Sequence, residues 1–175
     1  QYLSKYLDNS DFENENERVK NSEIKIIWNG DRQEEGIHAR TIHLHPKQVG
    51  GAILSLDKMI PESEWLWAGT KWKEHITNSL VDCISGVILQ SSDPDKLCSQ
   101  WELALGKERD SNTKLNISLD QSNISFIEDL NSKVDGIYAF VIKALDHNAI
   151  LENAKLKGFF VDNEISIGGV KIILE

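Results

Sequence analysis

Two helical runs with matched ends constrain this chain more than any other feature. The first opens at Ser92-Asp93-Pro94, with a capping side chain and a proline in the first turn, and the second opens at Asp146. Leu97, Trp101, Ala104 and Leu105 follow at helical spacing in the first run, and Ile150, Leu151 and Ala154 in the second. Gly106 and Gly158 end them. The starts lie 53 residues apart (93 to 146) and the ends 52 apart (106 to 158). A glycine pair feeding an apolar strand with a terminal acid also occurs twice. It reads Gly50-Gly51-Ala52-Ile53-Leu54-Ser55-Leu56-Asp57 and Gly168-Gly169-Val170-Lys171-Ile172-Ile173-Leu174-Glu175. These copies lie 118 residues apart (50 to 168), two helix periods plus a connector. A fixed period of this kind signals a repeated module.

The rest of the chain falls into place around that frame. In residues 1–57, the polar stretch 11–22 predicts a surface helix anchored by Phe12 and Val19. Glu23–Asn29 predicts a strand, Asn29-Gly30-Asp31 a turn, and Ile37–His45 and Ile53–Asp57 two more strands. Residues 1–10 show no clear first strand. Residues 58–82 carry Pro61, Trp65, Trp67 and Trp72 with no period and read as a connector. Residues 83–130 run strand, capped helix and a hairpin of Leu115–Leu119 with Ile124–Ile127. Residues 135–175 run strand Ile137–Leu145, capped helix, and strands Phe159–Ile165 and Val170–Leu174. The expected class is α+β.

Composition removes several functions. The 175 residues, 40% hydrophobic with five tryptophans, suffice for a packed core. The net charge of -9, with no stripe of lysine or arginine, lacks the electrostatic footprint of a nucleic-acid binder. No apolar run approaches the roughly 20 residues of a membrane span, and no signal peptide opens the chain. A cytoplasmic protein without membrane or nucleic-acid partners is expected. Cys83 and Cys98 lack metal-site spacing and are expected as buried free thiols.

A strand-helix-three-strand module used in pairs resembles the vicinal oxygen chelate superfamily, which includes glyoxalase I, methylmalonyl-CoA epimerase, the extradiol dioxygenases and the bleomycin-resistance proteins. His43-Leu44-His45-Pro46-Lys47-Gln48-Val49-Gly50-Gly51-Ala52-Ile53-Leu54-Ser55-Leu56 is similar to the closing hairpin of an epimerase-type module. Residues 84–106 resemble an opening strand and helix, and residues 136–175 a closing module. The resemblance implies repeated βαβββ modules forming open, incomplete barrels. It divides the chain into 1–57, the later part of a first domain, the connector 58–82, and a second domain at 83–175 built from modules 83–130 and 135–175. Modules of this superfamily come in pairs, so a further module and the first strand of residues 1–57 are expected upstream.

The resemblance also implies a small oxygenated metabolite as ligand or substrate, a divalent metal inside the barrel, and lyase, isomerase or dioxygenase chemistry if the protein is an enzyme. The fold hosts unrelated chemistries, however. The first-strand ligand positions match Gly86 and Tyr138 or Ala139, and the last-strand carboxylate positions match Ser55 and Ile173. None of these is a good ligand. Asp57 and Glu175 lie two residues further along the same strand faces, and Glu128 is the equivalent in the middle module. His43 and His45, at i and i+2 with Asp57 on a neighbouring strand, form a candidate two-His-one-carboxylate site. The competing reading has His45 capping the turn before Pro46 and His43 facing solvent or pairing locally. Trp65, Trp67 and Trp72 are candidates to line an aromatic pocket or, alternatively, to anchor the connector. Tyr138 is a candidate hydrogen-bond donor to a ligand oxygen. Two functions besides a metal-dependent enzyme stay open: a metal-free small-molecule binder of the bleomycin-resistance type, and a degenerate module serving as a homodimer surface. The Asn116-Ile117-Ser118 sequon bears on function only in a secreted chain.

Overall fold

A computed structural model describes residues 2–6 (backbone course only), 12–77, 79–113, 115–130 and 134–175. By its internal contacts the chain divides into two units, one of residues 1–76 with 103–106, the other of residues 77–102 with 107–175.

The first unit runs β1 (Tyr2–Tyr6), α1 (Phe12–Lys20), β2 (Ile26–Glu34), β3 (Ile37–Leu44), the one-turn helix α2 (Pro46–Val49) and β4 (Ile53–Ile60). Its sheet has the order β1-β4-β3-β2, with β1 parallel to β4 and the other neighbours antiparallel. The first strand, expected upstream, is therefore Tyr2–Tyr6. Five residues are too few for alternation to stand out, and the partner of this strand is some fifty residues away in sequence. The turn expected at Asn29-Gly30-Asp31 is also displaced. β2 runs straight through it, and the chain reverses at Glu35-Gly36, where φ is +49° and +80°, the double positive φ of a tight hairpin turn. Gly30 serves another purpose. A Cβ there would lie 2.4 Å from the Trp28 ring, so the missing side chain makes room for the indole.

Alternation assigns the two faces of this sheet. Arg40, Ile42 and Leu44 of β3 share a face with Leu54, Leu56 and Lys58 of β4. Helix α1 packs there, burying Phe12 and Val19, with the Arg40 guanidinium 4.4 Å above the Phe12 ring. The opposite face carries Ala39, Thr41 and His43 of β3 beside Met59, Asp57 and Ser55 of β4. Six consecutive residues of β4, Leu54 to Met59, are buried, so both faces are covered. After β4 the chain forms two short 3₁₀ turns, Leu66–Ala68 and Trp72–His75. Leu66, fully buried, joins Ile37, Ala39 and Met59 in a cluster against which Trp65 and Trp67 pack.

The second unit holds β5 (Val81–Ser91), all but the last turn of α3 (Pro94–Leu105), β6 (Asn116–Ser118), β7 (Asn123–Glu128), β8 (Gly136–Ala144), α4 (His147–Leu156), β9 (Phe160–Val161), β10 (Glu164–Ile167) and β11 (Val170–Leu174). Its seven-stranded sheet has the order β6-β7-β5-β8-β11-β10-β9. β5 and β8 meet antiparallel at the centre, β7 lies parallel to β5, and β11 lies parallel to β8. The helix signals hold to the residue. Asp93 Oδ1 accepts from Lys96 N at 3.1 Å and Asp146 Oδ1 from Ala149 N at 3.0 Å. The stretch expected as one strand from Phe159 to Ile165 is instead a hairpin, because Asp162 and Asn163 take φ of +51° and +66°.

Under β5 and β7, Trp101 of α3 meets Phe126 edge-on at 6.4 Å, with Leu97, Ile117 and Ile124 also buried. Cys98 is buried there too, and loss of hydration pushes its thiol up to about 11. Cys83, expected to be buried, is exposed, on the end of β5 that pairs with β8 but extends past β7. Neither sheet closes into a barrel among the described residues, and the fold class is mixed α+β with two open sheets.

Candidate functional site

The strand face of the first unit away from α1 holds the residues that the sequence marks for metal binding. His43 stands opposite Ser55 in the β3–β4 register, with Thr41 opposite Asp57. Asp57 is fully buried. Its Oδ2 accepts from Ser55 Oγ, and its Oδ1 accepts from Trp67 Nε1 at 2.9 Å. His43 packs on Trp28, ring centroids 4.6 Å apart. Burial holds the His43 imidazole below its ordinary pKa, and the nearby Asp57 charge partly opposes this. The structure therefore brings His43 and Asp57 together. It does not bring His45 to them. Pro46 starts α2, and His45 becomes the residue before that helix. Its backbone carbonyl accepts from Gln48 N and Val49 N, while its side chain makes no capping bond. His38 projects to the other face, where its Nε2 meets Asp31 at 2.8 Å.

The remaining candidates are placed elsewhere. Glu128 is the exposed last residue of β7. The backbone of Glu175 extends the β8–β11 ladder through bonds to Ala144 and Ile142. Trp65 and Trp67 fill the space over the sheet rather than line a void, and Trp72 Nε1 reaches Glu64 at 3.4 Å. Tyr138 sits at a bulge, because Ile88 pairs with Ala139 and Leu89 with Ile137. Its hydroxyl accepts from Lys171 Nζ at 2.8 Å, and Lys171 is also paired with Glu164 at 2.6 Å.

The divalent metal implied by the superfamily does not fit these residues. Trp67 and Ser55 already occupy the Asp57 oxygens, and His45 is off the strand. Gly86 supplies no ligating side chain, and a Cβ there would press on Asn123 Oδ1 at 3.1 Å. Among the described residues no group of three or more His, Cys, Asp or Glu is arranged to hold a metal ion.

The second unit contains an open groove of about 690 Å³ lined by Thr113, Leu115, Asn116, Ser118, Asn123 and Ser125. The hairpin that builds it repeats one triplet. Asn116-Ile117-Ser118 and Asn123-Ile124-Ser125 pair antiparallel, Asn116 opposite Ser125 and Ser118 opposite Asn123. Ile117 and Ile124 go down onto α3, and the four polar side chains turn the other way. Asp110 closes one end. The chain before it is clamped to α3 by Arg109, which donates to Glu102, Asp95 and Ser99 at 2.6–2.9 Å. Asp110 Oδ2 then accepts from Asn116 Nδ2, from Ser118 Oγ at 3.0 Å and from Thr113 Oγ1 at 3.4 Å. These bonds, the Asn116 one foremost, hold the Asp110 carboxyl below its ordinary range. Asn116 Oδ1 in turn accepts from Ser125 Oγ at 2.8 Å. The sequence marked Asn116-Ile117-Ser118 only as a glycosylation sequon. Its repeat at Asn123-Ile124-Ser125 across a turn is the signal that points to the groove.

No protein-family model matches the chain, and no curated protein sequence matches it. Solved structures do share its fold. A Mn(II)-bound glyoxalase from Novosphingobium aromaticivorans superposes with a TM-score of 0.59 at 12% identity, covering 99% of this chain and 61% of that one. A hypothetical protein from Staphylococcus aureus superposes with a TM-score of 0.58 at 11% identity, covering 99% and 63%. The fold is thus glyoxalase-like, and the chain spans about three-fifths of the length of these structures. No described helix is long and apolar enough to cross a membrane.

Proposed function

We propose that this is a vicinal-oxygen-chelate-type protein that binds a small oxygenated ligand without a metal, in the groove of its second unit. The element order β1-α1-β2-β3-β4 and the strand order β1-β4-β3-β2 match the sequence β8-α4-β9-β10-β11 with order β8-β11-β10-β9. This supports reading both as the βαβββ module that the sequence period suggests. In the stretch β5-α3-β6-β7, two strands follow the helix, and the groove lies on those two. The observation that carries the binding reading is the groove itself: an open, shallow depression walled by amides and hydroxyls on a strand hairpin.

The test is a fragment screen by amide-resolved NMR on the intact chain. The expected result is a set of hits whose shifts cluster on Asn116, Ser118, Asn123 and Ser125 in metal-free buffer. Hits that map elsewhere, or that appear only after Mn(II) is added, overturn the proposal.

A further inference from the structure

The register of the second sheet fixes which side chains share the face of the groove. Two rows cross it. One runs Asn116, Ser125, Ile88, Ala139 and Lys171, the other Ser118, Asn123, Gly86, Val141 and Ile173. Between them Ile117, Ile124 and Val87 point the other way and are buried. Pairing is regular through these residues, so alternation carries the two rows across β6, β7, β5, β8 and β11. A strand face left to water carries polar residues. On the hairpin this face does: its outward positions are asparagine and serine. From β5 to β11 it does not. Ile88, Val141 and Ile173 stand there, with only glycine and alanine between them, and Ile173 is 38% exposed. The face therefore turns from polar to aliphatic at the step from β7 to β5. The aliphatic strip ends on β11 at Lys171, which is already paired with Glu164 and the Tyr138 hydroxyl. Its open polar end is the groove. Two strand spacings separate β5 from β11, about 10 Å.

Resting on the groove reading above, we infer that the ligand is amphipathic. An oxygenated head group sits among the amides and hydroxyls of the hairpin, and an apolar body about 10 Å long lies over Ile88, Val141 and Ile173. Amides and hydroxyls both donate and accept, so the hairpin asks for a polar head rather than for one hydrogen-bonding sense. The affinity comes from the body. Taking aliphatic surface out of water is a net gain, whereas hydrogen bonds at an open groove largely replace those to water. A head group without a body meets only the open end of the site.

The test is an NMR-monitored titration of the intact chain with two probes that share a head group. Octyl glucoside, kept below its micelle threshold, carries an apolar body, and methyl glucoside does not. Octyl glucoside is expected to bind about tenfold more tightly, the gain from roughly two buried methylenes. It is expected to shift the amides of residues 116–125 together with those of Ile88, Val141 and Ile173. The double variant Val141→Thr, Ile173→Thr keeps β-branched side chains on the strands and is expected to bring octyl glucoside down to the affinity of methyl glucoside. Equal affinities of the wild type for the two glucosides, with shifts confined to the hairpin, overturn the inference and leave the groove reading standing. Shifts confined to Ile88, Val141 and Ile173 overturn it too, since the hairpin then holds no head group. Broadening of those three residues that grows with protein concentration, without any probe, gives the strip to a second copy and overturns the inference. No shift with either glucoside overturns the inference, and an empty fragment screen then overturns the groove reading as well.

Discussion

The two units treat the sheet face away from a helix in opposite ways. In the first, the sheet face away from the helix is closed by the chain's own connector: Leu66, Trp65 and Trp67 lie over Ile37, Ala39 and Met59, and Trp67 holds the buried Asp57. In the second, the face away from α3 is open and polar, and its carboxylate lies at the rim. A buried carboxylate that is satisfied internally is a structural element, whereas one that organises exposed hydroxyls can shape a binding surface. The same residue type therefore has different work in the two units, decided by what the chain lays over it.

Substitutions test this contrast. Trp67→Ala removes both packing and the donor to Asp57, and is expected to lower stability by roughly 2–4 kcal/mol in urea unfolding. Little loss would mean that the first face is not truly closed. Asp57→Ala strands the Trp67 N–H and the Ser55 hydroxyl and is expected to lower stability by roughly 1–3 kcal/mol by the same measurement. Asp110→Asn, by contrast, is expected to leave the urea-unfolding midpoint nearly unchanged, because its partners reach water. A larger loss would make Asp110 structural and erase the distinction.

His43 gives a pH signature confined to the first unit. Its folded pKa lies below the unfolded value near 6.5, so the folded state resists protonation. The stability contribution is complete above that unfolded value and is lost as pH falls through the lower folded one. The wild-type Tm should therefore drop between pH 7.5 and pH 5 by more than that of His43→Phe; equal drops would remove His43 as the source. The smallest expected effect is that of a chelator. EDTA should leave the Tm unchanged, and a fall of several degrees would reveal a resident metal.

What could be read from the chain alone followed locality. Asp93 and Asp146 cap their own helices and Gly106 and Gly158 end them, so three or four adjacent residues carried each signal. The strand β1 escaped notice because its partner β4 is remote, and the hairpin turn at Glu35-Gly36 because Asn29-Gly30, a stronger turn signal, lies just before it. Asp162-Asn163 is itself a turn signal, masked by the apolar residues on both sides. For the site, the link between His43 and Asp57 was legible from alternation across a hairpin. His45 was misplaced because the strand expected to include it ends at Leu44, and Pro46 starts a helical turn where only a loop was expected. The groove was missed for a different reason. Asn and Ser alternating with Ile on a short hairpin look like any solvated strand face, and their role depends on Arg109 fixing the chain that delivers Asp110.

Gly86 bears on how this protein can change. The space that its missing side chain leaves is filled by Asn123, one of the groove residues. A side chain at position 86 would press on Asn123, which would have to shift to admit it. A ligating residue placed on this strand would therefore act on the groove wall as well as on the strand, so the two features are tied through one contact.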